Sequence, residues 1–144
     1  MAARLLVGSV FVYMGAVKAL HPVEFLKLVR AYETVRDPLL LNAIAASLPW
    51  FEILCGTLLV AGVAVRGSAV LLTALLIPFT WMVLHRALAM NAAIPFCAIQ
   101  FDCGCGQGEV PVCRKLVENL ALILLSCWLI AAPASKYCLR FRLI

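Results

Sequence analysis

Charged residues are scarce in this chain of 144 residues. Asp, Glu, Lys and Arg make up 13% of it and hydrophobic residues 65%, whereas soluble domains contain about 25% charged and 45–50% apolar residues. A chain this short has too little interior to hide so much apolar surface from water. The composition excludes a water-soluble domain, and lipid must cover the remaining apolar surface.

Acidic residues are fewer than basic residues, seven against 12, and the net charge is +5. In a membrane protein we interpret this excess as a matter of topology and of contact with lipid headgroups. Nothing in the sequence indicates nucleic-acid binding. Repeats, low-complexity stretches and flexible linkers are also missing, which indicates a single membrane domain over residues 1–144.

Four apolar runs have the length of membrane spans, approximately residues 4–20, 39–65, 67–90 and 115–132. Lipid cannot satisfy a bare backbone, so these runs should be helices, and their lack of alternation excludes a β-barrel. The first run could pass for a signal peptide, but Lys18 stands where a cleavage region should be neutral. We therefore predict an all-α fold, an integral membrane four-helix bundle.

A short amphipathic helix is predicted between the first two spans, from Pro22 to Pro38. Its apolar residues recur at helical spacing and its charged residues fall between them, which is typical of a helix at the membrane surface. It is either an interfacial connector or a lid over a site. The apolar set is Phe25, Leu28, Val29, Tyr32 and Val35, and the charged set is Glu24, Lys27, Arg30 and Glu33.

Small residues in the first two spans have the spacing of helix–helix contacts in lipid. Gly8, Gly15 and Ala19 lie in the first span, and Gly56 and Gly62 in the second. Such residues let helix backbones approach closely. We expect them to be structural.

The sequence indicates the orientation of the chain across the membrane less directly than it indicates the spans. Four spans put both termini on one side, where five Lys and Arg residues would face seven on the other. That count slightly disfavours cytoplasmic termini. However, all seven acids fall on or towards the second side, and the C-terminal tail over residues 136–142 is basic. We expect cytoplasmic termini and an outer loop over residues 91–114.

Seven cysteines are many for a membrane protein of this size. Cys55 and Cys127 lie within spans, where we expect them to be small packing residues. Cys138 lies in the tail. The other four fall within the loop between the third and fourth spans, at Cys97, Cys103, Cys105 and Cys113.

Three chemistries are compatible with these loop cysteines. A Cys-Gly-Cys unit can close into a strained, oxidising disulfide, with Arg114 and Lys115 near enough in sequence to favour a thiolate. Two static disulfides could instead staple the loop. A Cys₄ metal site fits poorly because zinc ligands usually pair as C-x₂₋₄-C. Of the three possible connectivities we favour Cys103–Cys105 inside Cys97–Cys113.

With the Pro49–Glu52–Gly56 pattern of the second span and the later Cys103-Gly104-Cys105-Gly106 element, the chain resembles the DoxX-like superfamily and, within it, the MauE-type membrane proteins of methylamine utilisation. Many relatives carry a Phe before the glycine that here, as Gly106, follows Cys105 directly. The resemblance rests on Gly8, Phe11, Gly15, Lys18, Phe25, Tyr32, the segment over residues 48–56, Arg66 and the Cys103-Gly104-Cys105-Gly106 element.

The resemblance implies a four-helix bundle in the bacterial inner membrane, with the cysteine loop in the periplasm. MauE-type proteins are implicated in disulfide formation or electron delivery for periplasmic partners. Their architecture is similar to that of the quinone-linked vitamin K epoxide reductase and DsbB-like thiol oxidases, so a quinone cofactor is an analogy of fold and context. No metal is expected.

A charged side chain within a membrane span is energetically unfavourable, so Glu52 in the second span should face the bundle and be paired. Lys18 is the leading partner, with Arg86 or His85 as alternatives. The carboxylate either contacts a quinone headgroup, as a polar contact or proton acceptor, or only fixes helix packing. Trp50 could line the same ring-shaped ligand or anchor the interface, as could Trp81 and Trp128.

Two hypotheses follow. In the first, the protein is a thiol–disulfide oxidoreductase or electron relay for a periplasmic or membrane partner. Cys103 and Cys105 are then the redox pair, Cys97 and Cys113 relay electrons or lock the loop, and Glu52, Lys18 and Trp50 adjoin the quinone. In the second, the protein is a non-enzymatic scaffold or accessory subunit of a larger membrane complex, and the loop cysteines form structural disulfides.

Overall fold

A computed structural model of the chain describes residues 2–31, 37–90, 95–102 and 109–131. It confirms the all-α, membrane-type fold. The helices are α1 (Ala2–Leu20), α2 (Pro22–Ala31), α3 (Pro38–Ala61), α4 (Val65–Met90) and α5 (Val112–Ala131). Between α4 and α5 lie a 3-10 turn (Phe96–Ala98) and two strands, β1 (Gln100–Asp102) and β2 (Glu109–Pro111).

Three of the described helices are long and apolar enough to cross a membrane, over Ala2–Leu20, Pro38–Ala61 and Val65–Ala89. The fourth long helix, α5, carries Arg114, Lys115 and Glu118 in its first two turns, so its uncharged part begins only after Glu118. That this helix crosses the membrane stays a prediction. Together α1, α3, α4 and α5 form the bundle, with α2 packed on α3 and α1.

The predicted second span was too long at its C-terminal end. The helix α3 ends at Ala61 because Gly62 adopts the left-handed conformation (φ 77°) and its N–H bonds to the carbonyls of Leu58 and Leu59. Gly62 is therefore a helix terminator, and the prediction that it packs inside a span was wrong. At the other end, the Asp37 carboxylate accepts a hydrogen bond from the Leu39 N–H and caps α3.

The predicted loop over residues 91–114 is also more ordered than its composition suggested. It contains an antiparallel pair of strands in which Gln100 lies opposite Pro111 and Asp102 opposite Glu109. The last helix begins at Val112, where the sequence predicted residue 115. Three-residue strands show too little alternation to be recognised in a sequence.

Close backbone contact joins the antiparallel helices α1 and α3. A Cβ atom on Gly8 would lie 2.8 Å from the Gly56 carbonyl oxygen, and one on Gly15 would lie 2.8 Å from the Pro49 carbonyl oxygen. At the far end Arg4 lies against Gly62. The prediction that Gly8, Gly15 and Gly56 serve helix packing is confirmed.

The apolar core draws on all four long helices. Cys55 is 2% exposed within it, as expected of a packing cysteine, whereas Cys127 is exposed on α5 and so does not pack as predicted. The fully enclosed core side chains are Val7, Phe11, Cys55, Leu59, Ala69, Leu72 and Leu76, joined by Leu122 and Leu129.

Candidate functional site

A buried ion pair lies at the end of the bundle that α2 covers. The Lys18 ammonium donates hydrogen bonds to both Glu52 oxygens, at 2.6 Å and 2.8 Å, and the two side chains are 2% and 7% exposed. The sequence prediction that Lys18 is the partner of Glu52 is confirmed. Gly15 makes the pair possible, because a Cβ there would stand 3.0 Å from the Glu52 Cβ.

Two aromatic rings flank this ammonium. The Phe25 ring centroid lies 5.3 Å from the Lys18 Nζ and the Phe79 centroid 5.6 Å from it, both within the range of a cation–π contact. Phe25 belongs to α2 and is 4% exposed, so α2 covers the ion pair with its apolar face. Phe79 approaches from α4.

A second buried cation comes from α5. Lys115 is 2% exposed, its Nζ lies 3.7 Å from a Glu118 oxygen, and its charge attracts the Glu52 carboxylate. Sequence reasoning had connected Lys115 with the neighbouring thiols. The structure buries this ammonium in the bundle instead, within 3.7 Å of the Glu118 carboxylate.

A polar contact that sequence reasoning missed joins α4 and α5. The Asn119 amide nitrogen donates to the Thr80 hydroxyl oxygen at 3.1 Å, and Thr80 itself donates to the Leu76 carbonyl at 2.7 Å. Asn119 is fully buried, and its Oδ1 has no hydrogen-bond partner among the described residues. The available signal was an amide inside an apolar run, since polar residues within spans commonly join helices or mark sites.

A disulfide between Cys97 and Cys113 closes the base of the β1–β2 hairpin, with 5.1 Å between the two Cα atoms. The favoured pairing of these two cysteines is confirmed. Cys97 lies just before β1 and is exposed, while Cys113 lies just after β2 in the first turn of α5. Cys103 and Cys105, the predicted redox pair, lie outside the described residues.

The hairpin reaches into the bundle through one apolar side chain. Val110 of β2 is 5% exposed and forms a cluster with Met14 of α1, against which Phe79 of α4 packs. Ile99 and Val112, at the two sides of the disulfide-bonded base, pack on Ala87 of α4. Since Phe79 also flanks Lys18, the cluster that holds the hairpin on the bundle adjoins the ion pair.

A family model described as methylamine utilisation protein MauE matches residues 1–132. The chain belongs to the MauE family. Comparisons with curated proteins and with solved structures gave no significant match.

The remaining predicted site residues of this MauE family chain lie away from the ion pair. Trp50 is 66% exposed on the outer surface of α3, about 200° around the helix axis from Glu52 at 100° per residue. His85 is exposed on α4. The structure thus brings together Lys18 and Glu52, adds Lys115, and leaves Trp50 on the side that faces lipid.

Proposed function

We propose that this MauE family protein is a membrane thiol–disulfide oxidoreductase that serves disulfide formation in a partner protein of methylamine utilisation. The observation that carries the proposal is the position of Phe79, which packs against the cluster of Met14 and the hairpin residue Val110 and also flanks the Lys18 ammonium. A disulfide-closed hairpin thus adjoins a buried ion pair. The sequence between its two strands carries two further cysteines, and we infer that their thiol chemistry takes place near this polar site.

The four loop cysteines have different roles in this proposal. Cys97 and Cys113 lock the hairpin base, while Cys103 and Cys105, in the six-residue connection between β1 and β2, exchange disulfides with the partner. A partner thiolate attacks one of these two sulfurs, the other leaves as a thiolate, and the second partner thiol resolves the mixed disulfide. The partner gains a disulfide, and Cys103 and Cys105 become thiols.

Reoxidation of that dithiol requires an acceptor of two electrons and two protons. A quinone supplies this chemistry when bound, and the buried donors suit its two carbonyl oxygens. Lys18 uses two of its three N–H donors on Glu52, and Asn119 uses one of its two on Thr80. Lys18, Glu52 and Asn119 would hold the headgroup, and Glu52 would accept or return a proton.

The apolar helices and the loop cysteines also bear on where the protein lies in the cell. Helices Ala2–Leu20, Pro38–Ala61 and Val65–Ala89 make the chain a multi-pass membrane protein. We propose the bacterial inner membrane, with the hairpin in the periplasm and the termini in the cytoplasm. In that orientation the loop cysteines lie in an oxidising compartment where disulfides persist.

A scaffold role is the second candidate, and the ion pair favours it. Both Glu52 oxygens are bonded to Lys18, so the pair can serve as a closed packing element that fixes α1 on α3. The Cys97–Cys113 bond would then be a staple, and the protein an accessory subunit of a larger membrane complex.

Thiol trapping at graded reducing potentials distinguishes the two functions. We expect Cys103 and Cys105 to titrate near biological potentials and Cys97–Cys113 to resist mild reductant. In proteoliposomes with a quinone, Cys103→Ser and Cys105→Ser should abolish oxidation of a model dithiol peptide, whereas Cys55→Ser and Cys127→Ser should retain it. Retained turnover in the Cys103→Ser and Cys105→Ser variants would exclude the oxidoreductase, and loop disulfides that all resist reduction would favour the scaffold.

A further inference from the structure

The Thr80–Asn119 contact leaves one strong hydrogen-bond acceptor without a partner among the described residues. Asn119 Oδ1 is enclosed in the interior of the bundle, where a bare amide oxygen is unfavourable. Natural proteins retain such groups chiefly where a ligand or a bound water completes them. Asn119 Oδ1 is thus a buried acceptor that an additional molecule could complete.

The neighbours of Asn119 belong to the proposed headgroup site. Its partner Thr80 directly follows Phe79, whose ring lies 5.6 Å from the Lys18 Nζ. Lys115 precedes Asn119 by one turn on the same face of α5 and attracts Glu52. The amide and the ion pair are therefore linked through two consecutive residues of α4, Phe79 and Thr80.

We propose that Asn119 is the second polar contact of the quinone headgroup, in addition to the Lys18–Glu52 pair. This inference rests on the proposed use of a quinone. Asn119 would bind the ring oxygen that Lys18 and Glu52 do not bind, and it would bind that oxygen in both the quinone and the quinol.

An amide can serve both forms because its two ends are chemically opposite. In the orientation seen here the nitrogen donates to Thr80, and Oδ1 is available to a quinol hydroxyl. Rotation of the amide by half a turn would let the Thr80 hydroxyl donate to Oδ1, and the nitrogen would then donate to a quinone carbonyl. Thr80 permits this exchange because its hydroxyl, now bonded to the Leu76 carbonyl, can both donate and accept.

The test measures binding rather than turnover. Decylubiquinone and its reduced quinol are titrated separately into the full chain in detergent micelles, by calorimetry, for the wild type and for Asn119→Leu, Thr80→Val and Ser126→Ala. Asn119→Leu should weaken both ligands about tenfold or more, the usual effect of one lost buried hydrogen bond. Thr80→Val, which only removes the partner that orients the amide, should weaken both by less. Ser126→Ala, a buried polar position two turns further along α5, should leave both affinities unchanged.

The outcomes separate the two proposals. If the wild type binds both ligands and Asn119→Leu binds them equally well, the assignment of Asn119 is wrong, the buried amide serves only packing or an internal water, and quinone use stands. If the wild type binds neither ligand, quinone use itself fails, and the assignment falls with it. Thermal unfolding of each variant shows whether it is folded. If Asn119→Leu does not fold, the Thr80→Val variant decides: an unchanged affinity for both ligands overturns the assignment of Asn119 to the headgroup.

Discussion

The two helix pairs of this bundle are built differently. Between α1 and α3, glycines bring the backbones into contact, and the charges of Lys18 and Glu52 satisfy each other. Leucines of α4 and α5 meet in the apolar core, and an amide–hydroxyl bond between Asn119 and Thr80 joins these two helices among the described residues. Asn119 Oδ1 at this contact, and Ser126 Oγ two turns further along α5, are buried without a partner among the described residues.

This difference suggests that the two helix pairs have different roles. A backbone contact with no spare volume cannot adapt to a ligand, so the α1–α3 pair is suited to hold a fixed charged group in position. A side-chain contact with unused hydrogen-bonding capacity can reorganise around a ligand, as α4–α5 would do at Asn119. Variants that disturb one pair should therefore affect mainly stability, and variants that disturb the other mainly binding.

The largest effect is expected from separating the buried ion pair. Glu52→Met or Lys18→Met leaves its partner charged and enclosed, which should lower the free energy of unfolding by about 3–5 kcal/mol. The double variant Lys18→Met/Glu52→Met replaces both charges by apolar side chains of similar length and should recover most of that loss. Denaturation of the four proteins in mixed detergent micelles gives the coupling energy directly.

Additive losses in that cycle would contradict the proposed role of the pair as a mutually satisfied unit. A double variant that is stable yet binds no quinone would assign the charges to the ligand. A double variant that is stable and still oxidises thiols would leave the pair with a packing role only.

Much of this α1–α3 pair could be predicted from the sequence. Glu52 within an apolar run must have a partner, and Lys18 is a cation near the end of the adjacent span. Gly8, Gly15 and Gly56 carry the spacing of close helix contacts. Both signals are local and chemically specific, and for that reason the prediction and the structure agree there.

The next effect in size should come from filling the glycine contact. A Cβ on Gly56 would lie 2.8 Å from the Gly8 carbonyl oxygen, and α1 and α3 must move apart to admit it. We expect Gly56→Ala to cost about 1–3 kcal/mol of unfolding free energy, the usual range for overpacking. The matched control is Gly67→Ala in α4, where nothing lies within 4 Å of the added atom and no loss is expected. Equal stability of the two variants would show that the α1–α3 backbones are not in contact.

The parts that sequence reasoning missed lie where the outcome depends on tertiary neighbours. Asn119 was not singled out, because nothing local shows that Thr80 supplies one bond and that Oδ1 lacks another. Trp50 was predicted to line the ligand or to anchor the interface, and its distance from Glu52 follows from the helix, since residues two apart point to different faces. The Gly62 signal was present, but a small residue in an apolar run was interpreted as packing when it was a helix end.

The smallest effect is expected at Ser126, and its sign is informative. The Ser126 hydroxyl is fully enclosed with no partner among the described residues, so Ser126→Ala removes a buried polar atom without breaking a described bond. The change should leave the free energy of unfolding unchanged or raise it by up to about 1 kcal/mol. Denaturation in the same micelles measures it. A loss of more than about 1 kcal/mol would mean that Ser126 holds an internal water or a neighbouring helix. In that case the buried polar contacts of α5 would extend two turns beyond Asn119, as a contact separate from the proposed headgroup site.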